Sequence, residues 1–298
     1  MSWWQLEVSS TPEQADELET VLIGAGADAV TVLSADNQAV FELAPGDGPM
    51  LWQRNRVVGL FAEHAMCEAA ALHVRAQLGG SDSPAITCRP LAEQNWERSW
   101  MDQFRAQRFG DALWVCPSWD VAAPQGATVL HLDPGLAFGT GTHATTALCL
   151  EWLERQRPAG SVLDYGCGSG ILAIAALLLS AESGLAVDID PQALQATADN
   201  SARNPRVEGR LRTALAEAVA PSPAFDLVMA NILAAPLIDL ASTLAGFARP
   251  GADLLLSGIL EHQAQSVTAA YRPWFDCGAP EVRDGWALIH GRRGGGAL

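Results

Sequence analysis

The chain has 298 residues, a formal net charge of −16 and 49% hydrophobic against 17% charged residues. That length allows two domains with a large core, and the composition excludes a disordered chain. The acidity argues against a nucleic-acid surface, which needs clustered Lys and Arg, and suits a basic partner such as a basic protein.

The six cysteines (Cys67, Cys88, Cys116, Cys149, Cys167 and Cys277) form no C-x-x-C pair and sit in apolar stretches. Their spacing predicts reduced thiols and neither a disulfide framework nor a zinc site, so no metal is expected. The start M-S-W-W-Q-L-E lacks the basic and apolar regions of a signal peptide, and the longest apolar run, 171–179, is too short to span a bilayer. A cytoplasmic protein with no membrane contact is the expectation.

Residues 3–9 read as a strand. Ser10 or Thr11 can cap the helix that follows, with Pro12 at its first position, Leu18, Val21 and Leu22 on its inner face, and Gly24 and Gly26 at its end. Strands are predicted at 29–33 and 39–43 around Asp36-Asn37, then a Pro/Gly loop at 44–50, a strand at 56–61, a helix at 63–78 and a strand at 85–90. The order β-α-β-β-(β)-α-β predicts a small ferredoxin-like α+β domain over 1–92. It carries no evident chemistry. Substrate recognition is its candidate role, with shielding or dimerisation as the alternative.

Trp96, Trp100 and Phe104 recur every four residues and share one helix face. They predict a connecting helix over 93–106, its aromatic stripe packed on a core, before a second domain over 107–298. Strands at 113–116 and 128–132 lead into that domain. The run D-P-G-L-A-F-G-T-G-T-H-A-T-T, 133–146, then reads as a glycine- and hydroxyl-rich loop ahead of a helix at about 145–155, a lid or wall over a ligand. In this loop Phe138 could flank a ligand or an entering substrate, and Thr145 stands at the helix start. His143 is open to three readings: general base, substrate contact, or a loop-ordering hydrogen bond, the last preferred.

Residues 162–174, V-L-D-Y-G-C-G-S-G-I-L-A-I, read as a buried strand, a glycine turn (Gly166, Gly168, Gly170) and a helix opening at Ile171. Such a unit holds nucleotide-like ligands, because glycines let the backbone approach and the helix start offers free N–H groups. A dinucleotide fingerprint would need glycine at 171. The pattern present is D-x-G-x-G-x-G, with Asp164 ahead of the first glycine. The next strand, L-A-V-D-I-D, ends at Asp188, 22 positions after Gly166, close to the spacing of about 20 for an acid that binds ribose hydroxyls. Asp190 and Pro191 open a helix over 191–203. A strand at 225–232, F-D-L-V-M-A-N-I, ends on polar Asn231, which an open parallel sheet places at its ligand crevice. A helix at 236–247, a strand at 252–257, a helix at 262–270 and closing strands at 274–277 and 286–290 complete the chain.

D-x-G-x-G-x-G resembles motif I of the class I S-adenosylmethionine (SAM) methyltransferases. With the 133–146 loop, V-D-I-D-P-x-A, A-N-I-L-A, the W-x-Q-L start, W-E-R-x-W-M-D and L-W-V-C-P-S-W, the chain resembles over its whole length the PrmA family. That family methylates large-subunit ribosomal protein L-eleven (L11). The resemblance implies an α/β fold: a Rossmann-like seven-stranded class I methyltransferase domain preceded by the ferredoxin-like domain. It implies SAM as cofactor and methylation of lysine side chains and the N-terminal α-amine of L11, with the first domain recognising the substrate and the connecting helix letting it reorient. Carried over by motif, the cofactor contacts are Thr145, Gly166, Asp188 and Asn231, to which Asp164, Gly168 and Phe138 are added; Asn231 and Ile232 are the expected catalytic pair. Ala235 and Tyr165 depart slightly from the family pattern, which has glycine and phenylalanine there.

Three rivals are weighed. A glutamine-amide or nucleobase methyltransferase would carry an N-P-P-Y type motif, where this chain has N-I-L-A. A nicotinamide oxidoreductase is disfavoured by Ile171. A SAM-binding ribosome-assembly factor without catalysis is disfavoured by the intact loop, Asp188 and Asn231.

Overall fold

The computed structural model describes residues 3–35, 54–78, 85–91, 105–120, 123–133 and 143–294. The expected strand at 39–43, nearly all of the connecting helix with Trp96, Trp100 and Phe104, and the loop segment with Phe138 lie outside the described residues. The chain divides into two compact units, 1–99 and 100–298.

In the first unit β1 (Trp4–Ser10), α1 (Pro12–Gly24), β2 (Ala29–Ser34), β3 (Asn55–Phe61), α2 (His64–Leu78) and β4 (Ile86–Pro90) build a four-stranded sheet of order β2-β3-β1-β4. Every neighbouring pair is antiparallel, which is the split βαβ arrangement expected of a ferredoxin-like domain. Thr11 caps α1 ahead of Pro12, and Gln14 reaches back to the Thr11 N–H. Alternate residues Leu6 and Val8 of β1 meet Leu18 and Leu22 of α1 and Val74 of α2 in the core. The thiol expectation fails here: Cys67 of α2 and Cys88 of β4 form a disulfide, with Cα atoms 6.4 Å apart. They stand 21 positions apart in sequence, so no local pattern announces the pair. The fold brings the inner face of α2 onto β4.

The second unit opens with a small sheet, β5 (Gln107–Phe109), β6 (Leu113–Cys116) and β7 (Thr128–His131), followed by α3 (Ala144–Gln156). Its main sheet contains β8 (Ser161–Tyr165), β9 (Ser183–Asp188), β10 (Leu211–Leu215), β11 (Phe225–Asn231) and β12 (Ala248–Leu260), all parallel. β13 (Phe275–Cys277) and β15 (Trp286–Arg293) complete seven strands in the order β10-β9-β8-β11-β12-β15-β13, with β15 antiparallel to both neighbours. A short extra strand, β14 (Glu281–Arg283), pairs with β15 and has no counterpart in the sequence reading. The Rossmann-like seven-stranded sheet is thus present.

Helices cover both faces. α4 (Ile171–Leu179) is apolar at every position and buried over almost its whole length, since it is enclosed on more than one side. α5 (Pro191–Ala202) follows β9, capped by Asp190, whose carboxylate accepts from the Gln192 N–H at 2.8 Å. The single helix expected at 236–247 is two, α6 (Ala234–Asp239) and α7 (Ala241–Phe247), meeting at Leu240. α8 (Ala264–Tyr271) closes that face, its buried Tyr271 hydroxyl donating to the Leu237 carbonyl at 2.8 Å. No described helix is long and apolar enough to cross a membrane.

Strand order reverses between β8 and β11, which leave the sheet in opposite lateral directions. In an open parallel sheet the crevice outside the carboxyl ends of those strands is where ligands bind. The glycine turn after β8, Asp188 at the end of β9 and Asn231 at the end of β11 all stand there.

Candidate active site

The turn after β8 is a tight backbone device. Gly166, Gly168 and Gly170 have φ of 78°, 52° and 77°, a region that side chains disfavour. Gly166 also lacks room: a Cβ there would stand 2.4 Å from Cγ2 of Ile232. Two acids hold the turn. Asp188 accepts from the Gly168 N–H through Oδ2 and from the Asp190 N–H through Oδ1, both at 3.0 Å. Asp164, 1% exposed, accepts from the Ala173 N–H of α4 at 3.1 Å. Burial pushes the Asp164 carboxyl up to about 7, against the pull of the Ala173 N–H, and the charge of Asp188 adds to the rise. Burial, with the nearby Asp164 charge, also raises Cys167 to about 12, so its thiol stays protonated.

α5 fastens the same turn from outside. The Thr197 hydroxyl donates to the Gly168 carbonyl at 3.0 Å and the Asn200 amide to the Ser169 carbonyl at 2.9 Å. Just past the helix, Asn204 accepts from the His131 N–H and donates to the His131 carbonyl, at 2.9 and 2.8 Å. Its neighbour Arg203 binds Asp133, the first residue of the hydroxyl-rich loop, at 3.0 Å. These partners were missed in the sequence. Their spacing at 197, 200 and 204 is a polar stripe of helical period, which ordinarily marks a solvated face; here it points inward and satisfies backbone groups.

The start of α3 meets the end of β11. His143 caps it: Nδ1 lies 2.8 Å from the Thr145 hydroxyl and 3.4 Å from the Thr145 nitrogen, and the ring stands edge-on to Trp286 at 4.6 Å. Burial lowers the His143 pKa, keeping the ring neutral. Both contacts of Nδ1 are made within the first turn that the histidine caps. Thr145 is 4% exposed and turns its hydroxyl to His143. Thr146, not singled out in the sequence, accepts a hydrogen bond from Nδ2 of Asn231 at 3.3 Å. The other amide atom, Asn231 Oδ1, is buried with no partner among the described residues.

The family model of ribosomal protein L11 methyltransferase (PrmA) matches residues 2–294. The chain belongs to this family. Among the L11 methyltransferase relatives, the protein from Pseudomonas aeruginosa (strain LESB58) is 51% identical over 294 residues, 98% of this chain and 99% of its own length. The protein from Azotobacter vinelandii is 50% identical over 98% of this chain and all of its own length. The crystal structure of the ribosomal protein L11 methylase from Lactobacillus delbrueckii subsp. bulgaricus is 33% identical, covers 64% of this chain and all of that one, and superposes with a TM-score of 0.57. Membership makes the chain a SAM-dependent methyltransferase, and SAM is the kind of cofactor the PrmA family implies.

The residues fit such a cofactor. A turn whose Gly166 leaves no space for a side chain, an acid at the end of β9 and an orphaned amide oxygen at the end of β11 converge on one crevice. Among the described residues no cluster of ligating side chains could hold a metal.

Proposed function

We propose that the chain methylates L11 on lysine side-chain amines and the N-terminal α-amine, using SAM held across the carboxyl edge of the main sheet. The observation that carries this reading is Asn231 Oδ1, a buried acceptor without a donor at the strand end where an amine would arrive. Asp188 takes the ribose hydroxyls; Gly166 and Gly168 let the backbone approach; Thr145 and Phe138 contact the cofactor from the lid side. Buried Asp164 serves by bracing the turn against α4.

SAM supplies, when bound, a methyl group activated on a sulfonium. The protein's part is alignment and a dry site. The amine must be neutral to attack, and its ordinary pKa is about 10.4 for lysine and roughly 7.7–8.0 for an α-amine. A positive charge held nearby lowers both. The proton leaves largely to water, because the amide of Asn231 is neutral and takes none. Asn231 Oδ1 and the Ile232 carbonyl accept from the remaining N–H groups and aim the lone pair. His143 is committed to capping α3 and serves no base role here. We assign the region 1–92 to substrate recognition, 93–106 to the connection and 107–298 to catalysis, in the cytoplasm.

Purified protein incubated with methyl-labelled SAM and L11, free and in ribosomes, tests the reading. Label on L11 lysines and its N-terminus is expected. The protein has no lysine of its own, so labelled lysine arises only from the substrate. SAM binding without label in either form of L11 would instead leave a non-catalytic assembly factor. Asn231→Ala retaining near-normal turnover with normal SAM affinity would remove the catalytic role of that amide.

A further inference from the structure

Gly258 lies in β12, one residue beyond Ser257, which pairs with Asn231 across the sheet. The ladder between β12 and β15 shifts register between Leu256 and Ile259, so Gly258 sits on an irregularity that bends the strand end. Its φ is 84°, and a Cβ built on it would lie 2.4 Å from the Ile232 carbonyl oxygen and 2.8 Å from the Ile232 C and N atoms. The obstruction is backbone and has no rotamer to retreat into. The Ile232 side chain in turn fills the space beside Gly166, its Cγ2 2.4 Å from where a Cβ there would stand. Two glycines from different loops thus grip one residue, Gly166 its side chain and Gly258 its peptide.

We propose that Gly258 is a positioning residue for methyl transfer: it sets where the Ile232 carbonyl stands and thereby aims the incoming amine. This rests on the reading above, in which that carbonyl is one of two acceptors for the attacking nitrogen. A methyl at 258 would have to push the Ile232 peptide by about 1 Å to reach ordinary contact, and a displacement of that size at a reacting centre costs up to about a hundredfold in rate. The contact is with the Ile232 peptide; Asp188 and the Gly168 N–H it accepts from lie outside it.

The same strand supplies its own control. Gly251 has φ of 78° and nothing within 4 Å of a Cβ, so Gly251→Ala imposes the backbone strain without the contact. For Gly258→Ala the expected kcat on L11 is roughly ten- to a hundredfold below that of Gly251→Ala, with Kd for SAM within a factor of about three of it. Equal kcat for the two variants overturns the proposal, as does a loss of SAM affinity in step with kcat. If Gly258→Ala does not fold, Ile232→Leu frees the same peptide from its other side, removing at constant volume the Cγ2 that lies against Gly166. It is expected to lower kcat at least about fivefold with SAM affinity kept, and unchanged kcat overturns the proposal. Wild-type labelling of L11 is read in the same assay, so failure of the parent reading shows separately.

Discussion

The side-chain amide of Asn231 donates to the Thr146 hydroxyl across 3.3 Å, tying the end of β11 to the first turn of α3 while its oxygen is buried with no partner among the described residues. The hydroxyl gives Nδ2 an acceptor and so fixes the side chain in place. Thr146→Val keeps the shape and removes that partner. A buried donor left unsatisfied costs about 1–3 kcal/mol. We expect a kcat loss of about tenfold, which corresponds to about 1.4 kcal/mol, with SAM affinity little changed. Thr146→Ser should restore most of it. Steady-state kinetics with L11 checks this; equal activity of the Val and wild-type proteins would show that the bond does not orient Asn231.

Asp188 already accepts two backbone N–H groups, so its carboxylate is held at the end of β9 before any ligand arrives. Hydrogen bonds to a charged group contribute about 1.5–3 kcal/mol. Asp188→Ala should therefore weaken SAM binding by roughly ten- to a hundredfold, and Asp188→Asn by less. Calorimetric titration of SAM measures both.

Asp164 makes stability fall as pH rises. Its carboxyl is pushed up to about 7 chiefly by burial, whereas an unfolded aspartate titrates near 3.9. Between these values the unfolded chain has lost the proton that the native state keeps, so ΔG of unfolding declines across that window and is level above it. Asp164→Asn is neutral throughout and can still accept from Ala173. Its melting temperature should gain on the wild type from pH 4 to 7 and hold that gain at pH 8. A difference independent of pH would rule this out.

The Cys67–Cys88 bond closes a loop of the first unit with a sequence separation of 21. Loop-closure entropy predicts a contribution of about 3 kcal/mol. Reductant, or Cys67→Ala with Cys88→Ala, should lower the unfolding midpoint of that unit while the second unit's transition stays in place. Urea titrations of the full chain, with and without reductant, report it.

Much of the second unit was legible because its chemistry is local. The glycine turn, Asp188, the Asp190–Pro191 cap and Asn231 each occupy a strand end or helix start that pattern and period mark. The first unit's strands and helices at 3–9, 29–33, 56–61, 63–78 and 85–90 were legible for the same reason, while the further strand expected at 39–43 lies outside the described residues. What escaped depends on contacts distant in sequence. Thr146 meets Asn231 from 85 positions away, and Cys67 meets Cys88 only once α2 lies on β4. Gly258, just past the strand expected at 252–257, carried no signal because its obstruction is the backbone of another loop. The break at Leu240 divides a helix whose apolar residues run through it without a proline or glycine at the joint.

Both banks of the crevice are fastened to one short helix: Thr197 and Asn200 grip the glycine turn, while Asn204 and Arg203, just past its end, hold the close of β7 and the first residue of the lid loop. Such an element acts like the fixed arm of a caliper. The glycine turn and the end of β7 thus share one support, and a change in the placing of α5 acts on both at once.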